Sequence, residues 1–418
     1  MRSTGAATAA QLAAATALFA TLLATPARSQ GRLVILDEPA GTAVGLAVVI
    51  NAGNAWETAA ESGLGRLAAQ AVVERARPRL AALGATASVA CDATTVRFSL
   101  VLPAPTWQSA AELFFETLFE YPVGADAVAR ARAAVLEPVR MEEHSFTGDI
   151  RAALARARFG RSSRWARPPC GRAETLAALG ADDVERMIRT RFLPTRATAA
   201  IVGPVDTAAA GALLRRWLSD SDLPVLVPAP DPTSGGHIRV ERATVTTWVA
   251  LAFPFDRDAD IEALRLLGFR IREAVGPSPA RPEIFDAAVE LERHGDGGAL
   301  IVYLVTAPDR ARDAADTVRE LIHRSAAERM PAAEFDALLQ RYRGHRLLAL
   351  AAPEARAMDA ALELFFDGAF HPAAERVADL TRSRLRHAAD ALGTPASAVL
   401  GPPPGARGGT RTPPGADG

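Results

Sequence analysis

The sequence predicts an α+β protein built from two copies of one unit, and three observations carry that prediction. The order strand, strand, helix, hairpin, helices, strand occurs once before residue 221 and again after residue 237. The closing strands of the two copies read alike, Ala199-Ala200-Ile201-Val202-Gly203-Pro204 against Ala396-Ser397-Ala398-Val399-Leu400-Gly401-Pro402. Between the copies, residues 222–236 hold four prolines and end in Gly235-Gly236, the composition of an extended linker.

Taken in order, the first copy opens with apolar strand-like runs at Arg32–Leu36 and Thr42–Asn51. Helical periodicity follows from Ser62 to Leu83, with Ser62 as the expected N-cap. Val89–Cys91 and Thr94–Leu102 read as a hairpin whose second strand alternates Val96, Phe98 and Leu100 on one face. Helices are expected at Gln108–Phe119, Asp126–His144, Ile150–Phe159 and Asp182–Phe192. Strand Ala197–Val202 and helix Ala208–Leu218 close the copy. The second copy repeats this with strands Ile238–Val240 and Thr246–Phe253, helix Ile261–Val275, and hairpin strands Ile284–Glu292 and Leu300–Thr306. Helices Arg310–Ala327, Ala332–Leu350, Pro353–Phe366 and Ala373–Leu392 precede a last strand, Ala396–Leu400. Residues 401–418 are rich in Pro and Gly and are expected to be a disordered tail.

Composition excludes several classes. With 49% hydrophobic and 23% charged residues in 418, the chain is neither disordered, collagen-like nor a multi-span membrane protein. Forty-seven basic against 48 acidic side chains leave a net charge of −1, without the basic excess of a protein that grips nucleic acid or an anionic membrane. Lysine is absent, so every cation is arginine, a habit that abundant alanine attributes to GC-rich coding.

The N-terminus has the layout of a secretory signal peptide: Arg2, an apolar run Leu12–Ala24, then Thr25-Pro26-Ala27-Arg28-Ser29. The run is shorter than the roughly 20 residues that span a bilayer. Residues 1–29 are therefore expected to be removed after Ala27 or Ser29. The mature chain is expected to be periplasmic or secreted, with no stable membrane span. Cys91 and Cys170 then read as two free, buried thiols, with one disulfide as the alternative; their spacing is no zinc motif.

Three motifs carry a resemblance. Gly53-Asn54-Ala55-Trp56-Glu57 followed by Gly63-Leu64, then Arg167-Pro168-Pro169-Cys170-Gly171 with Glu174 and Leu176, and then Leu179–Asp206 come in an order and spacing similar to one family. The chain resembles the insulinase/pitrilysin/processing-peptidase metallopeptidases, and the repeated element order extends the likeness to Leu400. The resemblance implies two homologous domains, 30–221 and 237–400, each a mostly antiparallel sheet covered by helices on one face.

In that family a helix after the Gly-Leu pair carries H-x-x-E-H: two imidazoles four residues apart hold Zn²⁺, and the Glu serves as general base toward its water. Here the His positions hold Arg66 and Gln70, and the Glu position holds Ala69. The third ligand, a Glu in an E-R-x-V-V-L-x-E-like run, falls on Pro138 within Ala131–Val139; a one-residue shift would supply Glu137 but misaligns Val135 and Leu136. An invariant cation at Arg66 would repel a metal ion. No metal, cofactor or catalytic residue is expected.

Elsewhere, no two of the seven histidines are three or four residues apart. His371 with Glu375, His387 with Asp390, and Glu142-Glu143-His144 read as solvated helix faces. The resemblance implies one substrate contact, an Arg followed seven residues later by a Tyr. Arg272 fits the first place, but Pro279 stands in the second, inside the insert Gly276–Pro282, and Phe285 lacks the hydroxyl. The leading expectation is an inactive homologue that pairs as a heterodimer with a catalytic subunit of the family to enclose an extended peptide. The alternative is a stand-alone structural or peptide-binding protein of the same fold, and last an active metallopeptidase with unrecognised ligands.

Overall fold

Strands and helices alternate along the chain in two blocks that fold into two sheets of matching topology. The computed structural model describes residues 28–30, 32–120, 122–218, 230, 235–328 and 330–403. Nearly all of the expected signal peptide, and most of the linker and tail, lie outside the described residues.

The first sheet runs β1(Arg28–Gln30), β2(Leu33–Asp37), β6(Ala197–Gly203), β3(Ala43–Ile50), β5(Val96–Pro103), β4(Thr86–Cys91) in spatial order. The second runs β7(His237–Glu241), β11(Ala396–Gly401), β8(Thr247–Asp256), β10(Gly297–Thr306), β9(Ile284–His294). In each sheet one parallel pair, β2 with β6 or β7 with β11, precedes a run of antiparallel neighbours. The α+β class and the internal repeat are thus both present, and only β1 has no counterpart. Arg28 and Ser29, expected in the targeting segment, pair with Ile35 and Val34.

Helices cover the sheets in the same order in both copies. The first copy contains α1(Leu64–Ala82), α2(Trp107–Phe119), α3(Ala125–Glu143), α4(Phe146–Phe159), α5(Ala173–Ala178), α6(Ala181–Arg191) and α7(Thr207–Trp217). The second contains α8(Ile261–Val275), α9(Ala311–Ala327), α10(Ala332–Ala349), α11(Pro353–Asp367), α12(Ala373–Ala378) and α13(Arg382–Asp390). The single helix expected over Ala373–Leu392 is two, because Thr381 caps a new start by accepting from the Arg384 N–H. Helix α5 has no counterpart in the sequence reading; six residues are too few to display a period.

One face of each sheet meets its own copy's helices in a large apolar core, one centred on Phe98, Phe114 and Leu67, the other on Leu267, Val302 and Tyr342. The opposite face is covered too, by a helix from the other copy. Helix α11 lays Ala357, Ala360, Ala361, Leu364 and Phe365 on Val34, Ala47, Val49, Ala200 and Val202 of the first sheet. Reciprocally, α4 lays Ile150, Ala153 and Leu154 on Ala250, Ala252, Ala299, Ile301 and Ala398 of the second. Both contacts set alanine against alanine, which brings helix and sheet backbones close. At the tightest point a methyl group added to Gly45 of β3 would coincide with the backbone of Pro353 and Glu354.

The polar side of α11 is equally committed. Asp359 and Glu363 join Glu262 of α8 in a buried cluster with Arg265, Arg346 and Arg376 from α8, α10 and α12. Tyr342 completes it, donating its hydroxyl to Glu262 at 2.5 Å. On the other side, Arg158 of α4 grips Glu292 of β9 at 2.7 Å, and Thr94 in the β4–β5 turn donates to the Arg293 carbonyl at 3.3 Å. No helix among the described residues is long and apolar enough to cross a membrane.

Candidate functional site

The segment before α1 is folded around a buried carboxylate. Ser62, the expected N-cap, leaves its hydroxyl without a partner. Instead Glu57, five residues upstream, accepts from the backbone N–H groups of Gly63 and Gly65, both at 2.7 Å. A carboxylate here satisfies two of the donors that every helix N-terminus leaves open and complements the helix dipole. Burial nevertheless dominates and raises the Glu57 pKa to about 7, against the two N–H donors that favour its charged form.

The second motif locks onto the first. Arg167 donates to the Glu57 carbonyl at 2.6 Å, Asn54 donates to the Arg167 carbonyl at 3.1 Å, and Thr175 donates to the Ser62 carbonyl at 2.8 Å. Gly63 and Gly171, at φ 93° and 80°, touch backbone to backbone, so neither position has room for a side chain. Two of the three motifs read from the sequence are thus one structural knot holding the start of α1.

The sign of Glu57's shift gives a testable stability profile. Its unfolded pKa is near 4.3 and its folded value about 7, so folding takes up a proton between those values. Stability falls as pH rises through this window, by up to about 3 kcal/mol from this group. Glu363, also raised by burial, adds in the same direction. Urea midpoints measured from pH 4.5 to 7.5 should therefore decline, and Glu57→Gln should flatten part of the slope; an unchanged slope would refute the assignment.

The four positions that the resemblance marks as degenerate lie on α1 and α3, which pack side by side. Arg66 directs Nη1 at the Cys170 sulfur, 3.4 Å away, and leaves its buried Nε unpartnered. Ala69 is fully buried in the first core. Gln70 donates to Glu74 at 2.9 Å, and Glu74 pairs with Arg77 at 2.7 Å. Pro138 sits inside α3, exposed beside Glu137. Cys91 and Cys170 are free, and burial raises both thiol pKa values against the pull of Arg66, so both stay protonated at neutral pH. Among the described residues no group of three or more His, Cys, Asp or Glu side chains is assembled to hold a metal. Arg66 is thus wedged among protonated thiols, alanine and an amide.

The residue expected to touch substrate stands elsewhere. Arg272, near the end of α8, lines an open cleft of about 230 Å³ between α8, α10 and β9, with Phe269, Tyr342, His345 and Arg346 among its neighbours. Phe285, weighed for the aromatic place, is 52% exposed at the start of β9 and is not among the cleft's lining residues. His371 turns to Glu363 rather than Glu375, its Nδ1 lying 3.5 Å from the carboxylate. The cleft aromatics were missed in the sequence because Phe269 stands on α8 while Tyr342 and His345 stand on α10, some 70 residues later.

Comparison with known proteins completes the picture. Residues 178–342 match the model of the family described as "Peptidase M16 inactive domain". No curated protein sequence matches the chain. Among solved structures, a peptidase M16 inactive domain from Pseudomonas fluorescens is similar at 16% identity, with 91% of this chain and 98% of that one covered and a TM-score of 0.74. A chain of the Complex III2 from Candida albicans is similar at 13% identity, with 90% and 95% covered and a TM-score of 0.73. A protease from Helicobacter pylori matches at 14% identity, with 90% and 99% covered and a TM-score of 0.73. At such identities the likeness is one of fold.

Proposed function

From the premise that this chain is a member of the peptidase M16 family, matched over residues 178–342 by its inactive-domain model, we propose that it is the non-catalytic subunit of a two-chain peptidase. It pairs with an active zinc subunit and supplies half of a chamber that encloses an extended peptide. The observation that carries this reading is the contrast within the first copy. The scaffold around the start of α1, from Glu57 to Gly171, is held together by its own hydrogen bonds, while Arg66, Ala69, Gln70 and Pro138 stand where the resemblance would put metal ligands and a base. A site kept in shape without its chemistry fits a retained architectural use. Sheets ending in the open edges of β4 and β9 suit an extended peptide, which adds to such edges through main-chain hydrogen bonds.

The assembly works outside the cytoplasm, after cleavage of the signal peptide at Ala27 or Ser29, and needs no cofactor in this chain. The test is co-expression with a family member that keeps H-x-x-E-H. Peptide hydrolysis is expected to rise when both chains are present, and the pair should co-elute in size exclusion. Equal rates with and without this chain overturn the proposal. A second reading, a structural subunit with no peptidase partner, is favoured by the similarity to a Complex III2 chain. A stable homodimer indifferent to the zinc subunit would select it.

A further inference from the structure

Arginines gather between the turn that carries the first motif and the turn before β6, and most of them are bound to backbone carbonyls. Arg164 donates to the Ala55 carbonyl at 3.2 Å, Arg167 to the Glu57 carbonyl at 2.6 Å, and Arg32 to the Thr195 carbonyl beside Arg196. Two others are not. Arg191 at the end of α6 and Arg196 in the turn before β6 both lie over the indole of Trp56, 4.9 and 5.2 Å from the ring centre. The ring is itself fixed: its Nε1 donates to Asn51 Oδ1 at 2.8 Å, and the Asn51 N–H donates to the Arg196 carbonyl at 3.1 Å.

Attraction to the indole is the one interaction that either guanidinium makes among the described residues. No carboxylate pairs with them. Glu57, the acid next to Trp56 in the chain, turns instead to the N–H groups of Gly63 and Gly65. The C-terminal end of α6 offsets part of the Arg191 charge, and nothing comparable serves Arg196. Arg196 Nη1 is buried without an acceptor, and burial together with the neighbouring Arg191 charge lowers the Arg196 pKa. A guanidinium partly withdrawn from water beside a second one, with a donor left unmade, is costly until an acceptor arrives. Trp56, Arg191 and Arg196 are each half-buried, so that acceptor can come from solution.

We propose that Arg191 and Arg196 form an oxyanion site at the rim of Trp56 and that its ligand is a phosphate group. A guanidinium fork matches a pair of phosphate oxygens. Two uncompensated cations call for a dianion, whereas a carboxylate would leave one charge unmatched. Trp56 orients the forks and carries no charge of its own. The group can be inorganic phosphate or a phosphomonoester on a small molecule. The site is independent of the peptide-enclosing reading, and neither needs the other.

Calorimetric titration of the full chain with inorganic phosphate, at an ionic strength held constant with sodium chloride, tests it. Saturable binding of about one equivalent is expected, with acetate weaker by about tenfold or more, as one charge-assisted contact fewer implies. Glycerol phosphate separates the sources: equal affinity means that the group is read whatever carries it, and binding of inorganic phosphate alone means that the site takes the free ion. Saturating phosphate should also raise the melting temperature, since it binds the folded chain. Arg196→Gln and Arg191→Gln are each expected to weaken phosphate by about tenfold or more and to erase that rise. Arg191→Gln carries the test alone if Arg196→Gln fails to fold. Arg312→Gln, which removes an exposed partner of Asp316 on α9, should keep both responses of the parent. Absent phosphate binding, binding no tighter than that of acetate, or binding unchanged in Arg191→Gln overturns the site. So does a melting rise that sodium chloride at the same ionic strength reproduces.

Discussion

Replacing Gly45 by alanine is expected to lower the stability of the whole chain by roughly 3 kcal/mol or more, at or beyond the upper end of the overpacking range. The added methyl has nowhere to go. Its neighbours are backbone atoms of Pro353 and Glu354 at the first turn of α11, not the flexible end of a side chain. Either β3 bends, with its apolar residues on both faces, or α11 lifts and exposes the alanine-rich face it covers. Gly344→Ala on α10 is the matched control, since a methyl there meets nothing within 4 Å and alanine is the better helix former. Chemical denaturation should show the Gly45 variant's midpoint falling and the Gly344 variant's holding or rising. A Gly45 variant as stable as its parent would mean that α11 does not bear on the sheet this closely.

Asp359→Ala is expected to cost about 3–5 kcal/mol, the usual penalty for removing one partner from a buried charge cluster. Asp359 is 12% exposed and lies against Arg265, Arg346 and Arg376, which in its absence would face only Glu262 and Glu363. The three guanidiniums hold its carboxyl well below the usual carboxylate range, overcoming the opposing effect of burial. The sign of the linkage follows: the stabilisation is fully present above the unfolded pKa near 3.9 and is lost as pH falls through the lower folded value. Parent and variant should therefore differ by the full amount at pH 7 and converge in strong acid. A loss below about 1 kcal/mol, the worth of an exposed pair, would refute the buried-cluster account. Because both substitutions act through α11, their effects should not add.

Much of this architecture was written in local pattern. Val96, Phe98 and Leu100 alternate, and β5 is indeed buried on alternate residues, as a strand with one exposed face should be. The unbroken apolar runs of β3 and β6 carried a further message, that both faces are buried. What they could not state was which segment covers the second face, because the amphipathic stripe of α11 is the same whether it meets its own sheet or the other one. The cap of α1 was misread for a related reason. Ser62 has the right chemistry beside the helix, but Glu57 wins by reaching back across a turn that only the tertiary knot creates. Arg66, Ala69, Gln70 and Pro138 can be read from the sequence as residue types only. The company Arg66 keeps with Cys170 was not, since 104 residues separate them.

The crossing of α4 and α11 between the two sheets also sets a timetable for synthesis. The first sheet has all its strands once β6 ends at Gly203, yet the helix that covers its outer face begins at Pro353. Roughly 150 residues separate the two, so Val34, Ala47, Val49 and Val202 stay bare until α11 is in place. The first half cannot finish alone. Its nascent form is a natural client for a holding chaperone, and native structure arrives late and for both halves together.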